Sequence, residues 1–160
     1  MQTLVLRLFR RKERPSFQYE SNDVKIMALV DSGAETPVWC AGETEFLAAY
    51  PDAVRQAWNT DIRGFGKMAE NGAVYAIPQF ELTDGNSTYR IVNLLVAVCS
   101  HPQIGYDFVL SETMFSKTNT YHNRIGEKYL KFYFEKDQYN CAVKHGLGTF
   151  SIVTFAQDET

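Results

Sequence analysis

The stretch Lys25-Ile26-Met27-Ala28-Leu29-Val30-Asp31-Ser32-Gly33-Ala34 constrains this chain more than any other. An apolar run of strand length ends at a turn signal, which predicts a buried strand feeding a tight loop. The strand delivers the Asp31 carboxylate to the end of a rigid element. Ser32 supplies a hydroxyl to nearby main chain. Gly33 permits a backbone path closed to other residues and lets its N–H come close to the carboxylate. Ala34 is small enough to leave that carboxylate uncovered. The plainer reading of the same letters is a strand that ends in an ordinary Asp-Ser-Gly turn.

Most of the remaining chain reads as strands and turns. Residues 2–9 predict a strand, followed by the basic segment Arg10-Arg11-Lys12-Glu13-Arg14-Pro15. A solvated loop is the simpler reading of that segment and a phosphate contact the other. Val38-Trp39 restart an apolar segment after Pro37. Residues 45–50 predict a short helix that Pro51 ends, and 51–58 a second helical turn with proline at its first position. Residues 89–98 form a strongly apolar, buried strand. In the tail, 129–135, 139–143 and 149–155 predict strands, and 156–160 a frayed end. Asn86-Ser87-Thr88 has the form of a glycosylation sequon but reads as turn chemistry.

Two segments stand out. In Ile62-Arg63-Gly64-Phe65-Gly66-Lys67, followed by 68–72 and 73–77, strand-like residues flank a glycine-rich polar middle, the pattern of a β-hairpin. Tyr106-Asp107-Phe108-Val109-Leu110-Ser111-Glu112-Thr113-Met114-Phe115 reads as a core strand entering a short helix.

In this order, over about residues 22–116, the three segments resemble the retropepsin-like (retroviral-type) aspartic peptidases, in the single-domain form of many bacterial proteins. Asp31-Ser32-Gly33-Ala34 matches the family's active-site signature of Asp-Thr/Ser-Gly-Ala/Ser. The glycine-rich hairpin matches its flap. Asp107, Val109, Leu110 and Phe115 match its second hydrophobic motif, Asp-x-Ile-Leu-Gly-x-Asp-x-Leu. Ser111 stands where that motif has glycine, and Thr113 where it has Asp or Asn. A second register, Ile104-Gly105-Tyr106-Asp107-Phe108, keeps the glycine. The resemblance implies a mainly β fold, a small closed barrel with one or two short helices, filling residues 1–160 as one domain.

It also implies a mechanism. Two carboxylates about 3 Å apart cannot both ionise, so one acts as acid and the other as base on a water that attacks the peptide carbonyl. The chain has one Asp-Ser-Gly-Ala and no second copy. Asp31 as the catalytic residue therefore demands a symmetric homodimer, with Ser32, Gly33 and Ala34 supporting the loop. Glu35, one carbon longer than the common Asp, and Gly64, Phe65 and Gly66 of the flap would contact an extended peptide or protein substrate. This chemistry calls for no cofactor and no metal. The alternative is a retropepsin-fold module that binds peptides or serves assembly without turnover. Ser111, Thr113 and the insertion at 41–61 keep it open.

Composition narrows the partners. The chain has 160 residues, 45% hydrophobic and 14% aromatic, enough for a sizeable core, with a net charge of −3 that gives no sign of nucleic-acid binding. No apolar run reaches membrane-spanning length, and the first residues lack the pattern of a signal peptide. Three cysteines cannot all pair within the chain, so reduced thiols and a cytoplasmic location are expected. Cys99-Ser100-His101 and Cys141 with His145 lack the paired Cys-x-x-Cys of a zinc knuckle. Cys99, at the end of an apolar strand, reads as a core thiol.

Overall fold

In the computed structural model the backbone is described for residues 2–10, 16–31, 36–64, 67–83, 87–100, 105–111, 114, 119–122, 129–134, 141–144 and 150–157, and side chains within 16–31, 36–62, 71–83, 88–100, 105–111 and 114. The strands in chain order are β1 (Gln2–Arg10), β2 (Ser16–Ser21), β3 (Val24–Asp31), β4 (Val38–Trp39), β5 (Val54–Gly64), β6 (Lys67–Thr83), β7 (Ser87–Val98), β8 (Phe108–Ser111), β9 (Asn119–His122), β10 (Tyr129–Phe134), β11 (Cys141–Lys144) and β12 (Phe150–Gln157), with one described helix, α1 (Glu43–Ala49). No described helix is long and apolar enough to cross a membrane.

One mixed sheet runs β11-β12-β7-β4-β8-β3-β2-β1-β10-β9, and β6 branches from β7 to carry β5. Among the described residues the ends at β11, β9 and β5 do not pair with one another, so the sheet is open and branched where a closed barrel was expected. Closure requires the two outermost strands to meet. Here β10 takes up β1, and β12 lies on β7, so the two ends of the chain fill separate places.

At the centre, two rows of residues cross the sheet in register. Ala97, Val38, Val109 and Leu29 form one row across β7, β4, β8 and β3. Val98, Trp39, Phe108 and Ala28 form the next, and Phe17 of β2 extends it. Successive residues of a strand point to opposite faces. The Trp39 row therefore enters the large core with Phe46, Tyr50, Phe80 and Tyr89. The Leu29 row lies on the other face, where Leu29, Cys40 and Val109 cluster with Val38 and Tyr106.

The large core is aromatic and tightly interlocked. Trp39 meets Phe46, Tyr50 and Phe108 edge-on, with ring centroids 5.4–6.4 Å apart. Deleting a ring from such a site costs about 3–5 kcal/mol. Phe46 and Ala49 are what α1 buries. Seven residues are too few for a helix to stand alone, and α1 is held by that packing and by side chains at its C-terminal end. Ser21 Oγ donates to the Ala49 carbonyl at 2.8 Å and Asn22 Nδ2 to the Ala48 carbonyl at 2.9 Å, satisfying groups that the helix itself leaves open.

Three local readings need correction. Residues 54–58 lie in β5 instead of a second helical turn, because β5 pairs with β6 from Val54↔Ala76 to Gly64↔Lys67. The hairpin is accordingly longer than 62–77: its turn falls between Gly64 and Lys67, and the polar residues 68–72 lie within β6. Ala156 and Gln157, expected to fray, pair with Thr88 and Ser87. Two strands, β2 and β9, were not foreseen. The signal for β2 was present: Phe17 and Tyr19 alternate with Gln18 and Glu20, and Asn22 and Asp23 follow at φ 50° and 63°, the two left-handed residues of a tight hairpin turn. The basic segment 11–15 and residues 84–86, 135–140 and 145–149 lie outside the described residues.

Candidate active site at the end of the third strand

β3 is buried toward its C-terminal end: Ile26, Ala28, Leu29 and Val30 are all in the core, and Asp31, its last residue, is half-buried. β2 covers one edge of β3 as far as Leu29, and β8 runs parallel along the other from Ala28↔Phe108 to Asp31↔Ser111. Asp31 thus ends a strand that is fixed on both sides, and its register partner is Ser111, which is wholly buried. Asp31 and Ser111 lie two residues beyond Leu29 and Val109, so they continue that row's face of the sheet.

Asp107 fixes the register of this pair. Its Oδ2 accepts the Met27 N–H at 2.9 Å, its own N–H donates to the Met27 carbonyl at 2.9 Å, and its carbonyl accepts the Cys40 N–H at 2.7 Å. One residue therefore ties β3, β8 and the end of β4 together. A slip by one residue would send Asp31 to the opposite face. Of the two registers open for the second hydrophobic motif, Leu110-Ser111 is the segment beside Val30-Asp31, and Gly105 lies before β8 with φ +118°.

The hairpin root sits on the same face. Ile62 of β5 clusters with Ala97 and Cys99, and Val38 packs against both this cluster and the Leu29–Cys40–Val109 cluster. Val38 thus touches both the cluster of the Asp31 strand and that of the hairpin root. Gly64 is the last residue of β5 and pairs with Lys67, while Phe65 and Gly66 lie outside the described residues. Ser32, Gly33, Ala34 and Glu35 also lie outside them. Of the expected site residues the structure places Asp31 and Gly64. Ser111 and Ile62 are the neighbours that sequence reasoning had not assigned to the site.

On the opposite face of the sheet two phenols form a part-buried polar pair. The Tyr19 and Tyr50 hydroxyls are 2.7 Å apart. Burial raises the pKa of Tyr19 well above the ordinary tyrosine value, with Tyr50 and then the Asp107 charge adding to the rise, and burial likewise raises that of Tyr50. Tyr75 donates to Glu43 Oε1 and is raised by burial first and by that carboxylate second. Among the described residues no group of three or more His, Cys, Asp or Glu side chains is placed to hold a metal ion.

No protein-family model and no curated protein sequence matches the chain. Among solved structures, a retropepsin-like aspartic protease from Rickettsia conorii is similar in fold: the match covers 97% of this chain and 94% of that one, with a TM-score of 0.52 and 12% sequence identity. At that identity the likeness concerns the fold alone, that of a mainly β chain.

Proposed function

We propose that this chain is an aspartic endopeptidase that works as a symmetric homodimer, each copy contributing Asp31. The observation that carries the reading is the placement of Asp31. A half-buried aspartate ends a central strand held on both sides and opens the sequence Asp-Ser-Gly-Ala, in a fold similar to that of a retropepsin-like aspartic protease. In the proposed reaction the paired carboxylates share one proton. One takes a proton from the attacking water, the other gives a proton to the peptide carbonyl oxygen, and breakdown of the tetrahedral intermediate protonates the leaving amine. Ser32, Gly33 and Ala34 shape the loop that holds Asp31. Glu35 and the hairpin residues Gly64, Phe65 and Gly66 contact the backbone of an extended peptide. A cytoplasmic site of action goes with this reading, through the three cysteines.

Digestion of a diverse peptide library at mildly acidic pH, at protein concentrations that favour a dimer, tests the proposal. Cleavage by the parent and none by Asp31→Asn is the expected result. A folded, dimeric parent that binds peptides and cleaves none would replace it with the binding-module reading.

A further inference from the structure

The β5–β6 hairpin leaves the sheet at a residue that has no side chain. β6 pairs with β7 from Thr83↔Thr88 as far as Ala73↔Val98. The next residue, Gly72, pairs with Thr60 of β5, and beyond it β6 has β5 as its only partner among the described residues. Gly72 is buried. A Cβ built there would stand 2.4 Å from Ile62 Cδ1 and 2.8 Å from the Val98 carbonyl oxygen, distances that real Cβ atoms essentially never show. The requirement for glycine is one of space: any side chain would push β6 off the end of β7 or drive Ile62 from its seat.

Ile62 is 6% exposed and packs against Ala97 and Cys99, with Val38 beside them. Among the described side chains of the hairpin beyond Gly72, Ile62 is buried while Asp61 and Asn71 are exposed. Asn59 Nδ2 donates to Asn71 Oδ1 at 3.0 Å, and Asn71 Nδ2 donates to Asp61 Oδ1 at 3.2 Å. These exposed bonds tie the two hairpin strands to each other. They do not tie the hairpin to the body; among the described side chains beyond Gly72 that task falls to Ile62, which packs on Ala97 and Cys99 in the space that Gly72 leaves open.

We infer that Ile62 and Gly72 are a positioning pair, which sets the angle at which the hairpin stands over the Asp31 face and so where it holds the backbone of an extended peptide. The inference rests on the reading of the hairpin as the substrate-covering element. Val38 gives it a physical route, since the same side chain supports both Ile62 and the Leu29–Val109 row that Asp31 and Ser111 continue.

The test combines amide hydrogen exchange with peptide kinetics on Ile62→Ala, Gly72→Ala, and Gly72→Ala joined with Ile62→Val, which deletes Cδ1. In Ile62→Ala, amides of 61–71 are expected to exchange about tenfold faster or more while those of 88–98 keep their protection, because local opening costs less once the seat is empty. KM for a cleaved peptide rises by about tenfold and kcat changes much less. Ile62→Val restores part of what Gly72→Ala loses, because it removes the 2.4 Å contact and leaves the one to Val98. Equal acceleration in 61–71 and 88–98, or none in 61–71, overturns the inference. If the parent cleaves no peptide, the endopeptidase reading fails, and the exchange comparison still decides the role of the pair.

Discussion

Asp31 and Ser111 are register partners across the parallel pair of β3 and β8, and their side chains share one face of the sheet. Neighbouring strands lie about 4.8 Å apart, so the buried hydroxyl of Ser111 is among the groups nearest the carboxylate. The retropepsin-like motif that this segment resembles has glycine at this position. A serine there adds a side chain behind Asp31, and the strand accepts it with Ser111 fully buried.

Enlarging that side chain should be costly. Ser111→Val adds volume to a filled position and is expected to lower stability by about 1–3 kcal/mol and to reduce cleavage with it. Ser111→Gly should keep the fold. Urea unfolding midpoints of the two variants check this, and an unchanged midpoint for Ser111→Val would show that the site has room to spare.

Asp107 should matter through its acceptor oxygen. Asp107→Ala leaves the part-buried Met27 N–H without the carboxylate it donates to at 2.9 Å, an expected loss of about 1–3 kcal/mol. Asp107→Asn keeps an acceptor oxygen and should lose less. Chemical denaturation separates the two, and the order Ala below Asn below parent is the expected one.

The Tyr19–Tyr50 pair gives an alkaline limit to stability. Burial is the largest cause of both shifts, and it raises each folded-state pKa above the ordinary 10.0. Below that value both states keep the proton, so the contribution of the neutral phenols is fully present. As pH rises through it, the unfolded chain loses protons that the folded chain retains, and stability falls. The urea midpoint should therefore drop between about pH 9 and about pH 11, and the drop should be smaller in the Tyr19→Phe, Tyr50→Phe double variant. Equal drops in the two proteins would remove the pair from the explanation.

The sequence reveals the elements whose signal is local. β3, β7 and β8 are apolar runs bounded by turn residues, and Asp31 stands where the first of them must end. The hairpin is visible in its glycines, although its first strand is not. Pro51 and the residues after it suit a helix, yet 54–58 pair with β6, and sheet pairing outweighs a weak local preference. Open or closed topology has no local signature, since it depends on whether β1 meets β10 or a strand from elsewhere in the chain. The same holds in the site. The Asp107–Met27 bond joins residues 80 apart in sequence. The need for glycine at Gly72 comes from Ile62 and from the carbonyl of Val98, and no pattern within 62–77 contains both.

The central claim is that one Asp31 from each of two copies makes the active site, and subunit mixing tests it most directly. Parent and Asp31→Asn protein are mixed in varying proportion at constant total concentration, allowed to exchange subunits, and assayed on a peptide that the parent cleaves. If each site needs both carboxylates, only parent–parent dimers are active. Replacing half of the parent then lowers the rate to about a quarter, the square of its fraction. A rate that falls in simple proportion would place a complete site within one chain, and full activity of the Asp31→Asn protein alone would remove Asp31 from the chemistry.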